Sequence, residues 1–113
     1  MKEIKAYIKP LKLSAVAREL QKVEGLTGMS VTDVRGFGRG KAREAPQRIV
    51  DDLVDYVSYV KIELFCRDEL VERIVSAIEK GAHTGLRGDG KIYVSNVEAA
   101  VRISTGDRGE GAI

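Results

Sequence analysis

Residues 57–97 read VSYVKIELFCRDELVERIVSAIEKGAHTGLRGDGKIYVSNV, and the change of period inside this stretch decides the fold class. Over residues 57–66 the apolar positions alternate. Val60, Ile62, Leu64 and Cys66 face one way, and Lys61, Glu63 and Phe65 the other, the pattern of a strand buried on one face. From residue 69 to residue 80 the period becomes helical, with Leu70, Val71, Ile74, Val75 and Ile78 in one apolar stripe. Asp68 is expected to cap the start of this helix and Gly81 to stop it. A glycine-rich turn over residues 82–90 then leads into a second strand, residues 91–97.

Toward the N-terminus the same order recurs. Residues 1–9 alternate, with Ile4, Ala6 and Ile8 on one face and Lys5, Tyr7 and Lys9 on the other. Pro10 ends that strand because it cannot donate to a ladder. Leu13, Val16, Ala17 and Leu20 predict a helix over residues 14–24, with Ser14 as its candidate cap and Gly25 as its stop. Position 17 is alanine, so there is no capping box. A weaker strand follows over residues 29–36, where Met29 and Val31 share a face. An irregular loop, about residues 37–56, separates it from the strand at 57–66. The two halves even align loosely, YIKPLKLSAVARELQK against LFCRDELVERIVSAIEK. A doubled strand–helix–strand unit predicts an α+β fold: a ferredoxin-like βαββαβ sandwich with both helices on one sheet face. Tyr7, Phe65 and Tyr93 would point to the other face, so an oligomer is expected to cover it.

The remaining features set bounds. At 113 residues the chain is one domain, residues 1–113, with a polar tail from about residue 102 that begins near a short strand at Val101 and Ile103. The net charge is +2 with acids and bases interspersed, which argues against binding nucleic acid or membrane through bulk charge. The N-terminus shows no signal-peptide pattern, and no stretch is long and apolar enough for a transmembrane helix. Cys66 is the only cysteine, so no intrachain disulfide forms, and its alternating apolar setting reads as core. A cytoplasmic location is expected.

The chemistry concentrates in three clusters. TGLRGDGKIYV, residues 84–94, combines glycine amides with one lysine, a composition suited to cradling an anion. Residues 85–91 satisfy G-x-x-x-x-G-K, yet Ile92 stands where a P-loop has its Ser or Thr, and the turn runs from helix to strand rather than strand to helix. A plain helix-to-strand turn explains the segment equally well. Gly36, Phe37, Gly38, Arg39, Gly40 and Lys41 open the long loop, as a phosphate wrap or a hinge. Arg102 with Thr105, Gly106, Asp107 and Arg108 marks the tail. His83 is the only histidine and reads as a solvated or capping residue. Asp51, Asp52 and Asp55 read as a solvated acidic face, and Tyr56 and Tyr59 as packing residues that close the loop. No residues are assigned to metal binding or catalysis.

Taken in order, IKPLKL, GMSVTDVRGFGRGK, VKIEL, TGLRGDGKIYV and VRISTGDRGEGAI resemble the PII signal-transduction family across nearly the whole chain. The resemblance implies a homotrimer that binds ATP or ADP, with AMP a further candidate, in clefts between subunits, and that regulates a transporter, an enzyme or another regulator through its long loop. Carried over by position, Ser30 contacts adenine, and Glu63, Leu64 and Phe65 lie where a strand edge meets the base. Gly38 and Arg39 wrap phosphates. Gly88, Asp89, Gly90 and Lys91 form the cradle, and Arg102 is a phosphate-binding arginine with Ile103 and Ser104 beside it.

Departures from the family pattern carry their own expectations. The family's Arg-x-Arg is here Arg102-Ile103-Ser104, so triphosphate charge is less well matched. Gly40 replaces a glutamine that helps ligate magnesium beside 2-oxoglutarate, which leaves the role of magnesium open. Tyr59 replaces a lysine that pairs with the far carboxylate of that ligand, and Asp52 aligns with the tyrosine that accepts a nucleotidyl group. A 2-oxoglutarate response and uridylylation are therefore expected to be lost. The alternatives are a slow ATPase or nucleotidase in the same cleft, and a PII-like regulator tied to metal efflux. An RNA-binding sheet of this topology would need paired aromatics in a ribonucleoprotein-type run, which the chain lacks.

Overall fold

The computed structural model describes residues 1–37 and 56–113. Its elements are β1 (Lys2–Ile8), α1 (Leu13–Leu20), β2 (Ser30–Gly36), β3 (Val57–Cys66), α2 (Val71–Ala82) and β4 (Gly90–Asn96), with short 3-10 turns at Pro10–Lys12, Asp68–Leu70 and Gly109–Ala112. The strands form one four-stranded sheet in the order β2-β3-β1-β4, every neighbouring pair antiparallel. This is the expected ferredoxin-like βαββαβ arrangement.

Alternation along the strands places the core. Ile4, Ala6 and Ile8 of β1 and Val60, Ile62, Leu64 and Cys66 of β3 are buried under Val16 and Leu20 of α1 and Ile74 and Ile78 of α2. Each fully buried isoleucine or leucine contributes about 1.5–3 kcal/mol relative to exposure. Cys66 belongs to this core, and burial pushes its thiol pKa up.

The helices depart from expectation at their ends. α1 stops at Leu20 rather than residue 24, and Gly25, at φ +90°, lies in the turn that follows. Ser14 sits inside α1, because the Pro10–Lys12 turn runs straight into the helix and supplies its start. Asp68 likewise caps nothing: it opens the 3-10 turn before α2, and its carboxylate accepts from the Met1 ammonium at 2.8 Å. Gly81 does not stop α2, which continues through Ala82. A Cβ at Gly81 would lie 2.7 Å from the Val16 Cα, so the glycine is where α2 presses its backbone onto α1. In the tail, Val101 forms an isolated bridge to Arg108, and Ile103 is 99% exposed.

The other sheet face carries the residues predicted for it. The Tyr7 and Tyr93 rings meet edge-on at 6.3 Å, and Phe65 and Tyr93 are about half exposed. Register adds Glu3, Lys5, Lys61, Glu63 and Lys91 to the same face, so it is amphipathic rather than apolar. At the base of the long loop, Phe37 packs on Tyr56 with ring centroids 5.6 Å apart.

Candidate functional site

The expected site residues fall into two groups at opposite ends of the sheet. At one end a pocket of about 440 Å³ is lined by Met29, Ser30, Glu63, Leu64 and Phe65, together with Val97, Ala100, Val101 and Ile113. Ser30 lies directly across from Glu63 in the β2–β3 ladder, which explains how residues so far apart in sequence share a wall. Lys61 Nζ stands 3.3 Å from Glu63 Oε1, so that carboxylate is already paired. One wall of the pocket is the returning C-terminal segment; the resemblance implies a tail beside the cleft through Arg102, but not the hairpin that makes Val101 and Ile113 wall residues. The tail doubles back because the Arg102 amide donates to the Asp107 carbonyl at 2.9 Å, the Gly106 amide to the Arg102 carbonyl at 2.7 Å, and the Gly109 amide to the Ala100 carbonyl at 2.9 Å. Arg67 and Glu110, 3.6 Å apart, pin it to the body. Only the glycines of TGDRGEG hinted at this reversal.

At the other end lies the glycine turn between α2 and β4. Gly90 is held against β1: a Cβ there would fall 1.7 Å from the Tyr7 carbonyl oxygen, and φ is +105°. Asp89 organises the rest of the turn. Its carboxylate accepts from the Thr84 hydroxyl, from the Thr84 amide at 2.8 Å and from the Gly85 amide at 3.3 Å. Lys9 Nζ is 3.3 Å from Asp89 Oδ1, the two side chains being 22% and 23% exposed. The Thr84 hydroxyl in turn accepts from Lys9 Nζ at 3.2 Å and from the Leu86 amide at 3.0 Å. These bonds, led by the one from the Thr84 hydroxyl, hold the Asp89 pKa far below the ordinary carboxylate range. His83 caps the end of α2 through its amide, and its exposed ring lies 3.5 Å from Asp89. Lys91 stands exposed beyond the turn, across from Tyr7.

Arg102 is on the tail hairpin, 3.7 Å from Asp107, with Ile103 and Ser104 exposed beside it. Gly38, Arg39, Gly40, Asp51, Asp52 and Asp55 lie outside the described residues. Ser30, Glu63, Leu64 and Phe65 are thus brought together, as are Gly88, Asp89, Gly90 and Lys91, but the two groups do not meet. Phe65 is level with Glu3 on β1, and Gly90 with Ile8. Five residues of strand, about 17 Å, separate these outermost levels, while Glu63 is level with Lys5 and Lys91 with Tyr7, two residues apart.

Comparison with known proteins places the whole chain. A family model described as Nitrogen regulatory protein P-II matches residues 1–107. Proteins named Nitrogen regulatory protein P-II from Bradyrhizobium diazoefficiens and Azospirillum brasilense are 50% and 49% identical over 113 residues, the full length of both chains in each case. A solved structure of Arabidopsis thaliana PII bound to citrate superposes with a TM-score of 0.80 at 35% identity, covering 99% of this chain and 91% of that one.

Proposed function

Because the chain belongs to the nitrogen regulatory protein P-II family of signal-transduction regulators, we propose that it assembles as a homotrimer, binds adenine nucleotides in clefts between copies, and acts on a partner protein through the loop at about residues 37–56. The observation that carries this reading is the separation of the two half-sites. A pocket sized for a base and a turn suited to phosphates lie at opposite ends of β1. The pocket of one copy set against the turn of the next would bring both to a single nucleotide between copies.

In such a cleft the strand edge at Glu63–Phe65 and the Ser30 hydroxyl receive the base. The Gly88–Gly90 backbone and the Lys91 ammonium receive phosphate, joined by Arg102 and by Gly38 and Arg39. Charged hydrogen bonds to phosphate are roughly twice as strong as neutral ones, so Lys91 carries much of the affinity. Arg102 is the only cation of its tail triplet, and ADP therefore competes well with ATP. That the Arabidopsis thaliana relative is bound to citrate is in keeping with a fold that accepts small polyanions.

The chain acts by binding and not by catalysis. Glu63 and Asp89 are the carboxylates at the described half-sites, and both are held by lysines, Lys61 and Lys9. A carboxylate held in an ion pair is a poor general base, and Asp89 is in addition held well below the ordinary carboxylate range. The names of the relatives favour nitrogen regulation over metal efflux.

Mixed assemblies test the shared cleft. Lys91→Ala removes the cation at the turn, and Phe65→Ala removes a wall of the pocket; each variant alone should lose ADP binding by calorimetry. Co-refolded in equal amounts, the two should regain about a quarter of the clefts, since a head-to-tail interface pairs an intact turn with an intact pocket in that fraction. If mixing restores nothing, the cleft is not shared between copies.

A further inference from the structure

The glycine turn contains a carboxylate, and a carboxylate facing the phosphates would oppose their binding. The geometry resolves this. Both Asp89 oxygens are directed into the turn, onto the Thr84 hydroxyl and the Thr84 and Gly85 amides, and the charge is matched by Lys9. Thr84 and Lys9 look like ligand-binding groups by composition, yet their polar atoms are likewise engaged with Asp89 and with each other. Lys9 immediately follows β1, which lies beside β4 in the sheet. The turn is therefore fastened to β1 at both ends, at Thr84 through Asp89 and Lys9, and at Gly90 by its approach to the Tyr7 carbonyl.

We propose that Asp89, buckled to Thr84 and Lys9, is a positioning residue for the anion cradle: it touches no phosphate and holds the turn so that the glycine amides and Lys91 face the ligand. This rests on the nucleotide reading and deepens it. Gly85, Gly88 and Gly90 all have positive φ, and glycines without restraint sample many backbone states. A cradle that must be ordered by its own ligand binds more weakly than one already ordered. The buckle orders it in advance. It also withdraws a negative charge from the phosphate position.

The test pairs ADP calorimetry with amide hydrogen exchange on the full-length protein. Asp89→Asn keeps the shape and removes the charge. It should weaken ADP binding about tenfold to a hundredfold, the worth of one or two charge-assisted hydrogen bonds. Exchange at Thr84 and Gly85 should speed up by a similar factor while the amides of β1 and β3 keep their protection. Thr84→Val should follow Asp89→Asn, and Thr84→Ser, which retains the hydroxyl, should restore binding toward wild type; this pair decides the matter should Asp89→Asn fail to fold. Unchanged ADP affinity in Asp89→Asn overturns the proposal. So does lost affinity with unchanged exchange at Thr84 and Gly85, because Asp89 would then be touching the ligand. If wild-type protein does not bind ADP, the nucleotide reading fails, and the exchange measurement still decides whether Asp89 holds the turn.

Discussion

Asp89 illustrates how one side chain's chemistry depends on what surrounds it. Its folded pKa is lowered from the ordinary 3.8 by the Thr84 hydroxyl and amide first, and further by Lys9 and the Gly85 amide. A depressed carboxylate stabilises the fold above its unfolded pKa, and that contribution is lost as pH falls through the folded value. Asp68, held low by the Met1 ammonium, adds a change of the same sign. Wild-type protein should accordingly melt higher than Asp89→Asn at neutral pH, and the gap should begin to narrow below about pH 4 and keep shrinking as pH falls further; a gap that stays constant into strong acid would show that Asp89 is not charged and bonded as described. At Tyr59 the opposite holds: the residue sits on β3 across from Val34 and brings no cation. Removing the charge partner of a bound carboxylate costs on the order of a few kcal/mol. Titrating 2-oxoglutarate into protein saturated with Mg-ATP should therefore give no micromolar binding.

Among the elements, the helix pair depends on a missing side chain. α1 and α2 approach so closely at Gly81 that a Cβ would meet the Val16 Cα at 2.7 Å and its amide nitrogen at 2.9 Å. Alanine is the better helix former by about 1 kcal/mol, so helix propensity alone favours Gly81→Ala. Overpacking typically costs about 1–3 kcal/mol, and here it falls on backbone, which cannot rotate aside. Gly81→Ala should lower the urea midpoint with an unchanged m-value, and a variant more stable than wild type would show that the helices have room to separate. The tail is a second case, since its hydrogen bonds return it across the pocket, where Val101 and Ile113 become wall residues.

For the molecule as a whole, the uncovered sheet face and the divided site point the same way. Tyr7, Phe65 and Tyr93 stand among Lys5, Lys61, Glu63 and Lys91 on a face that neither described helix covers. Such a mixed surface is suited to a contact in which rings pack and charges find partners. Light scattering at micromolar concentration should give three times the mass of the 12.4 kDa chain; a monomer mass would remove the second copy from which the proposed cleft is built.

The sequence by itself determined the order of elements, the buried face of each strand and the apolar stripe of each helix. These are periodic properties, and a period is written in neighbouring residues: Ile4, Ala6 and Ile8 point inward wherever β1 is placed. It also determined the family, through long motifs such as TGLRGDGKIYV. Tertiary structure alone decided what approaches from afar. Gly81 looked like a helix stop until α1 was laid against it. Asp68 looked like a cap until the Met1 ammonium arrived beside it. Asp89 stands in a glycine-rich turn, and only the fold brings Lys9, from the far half of the chain, to its carboxylate. A side chain's partner depends on where distant backbone passes, and no local period records that.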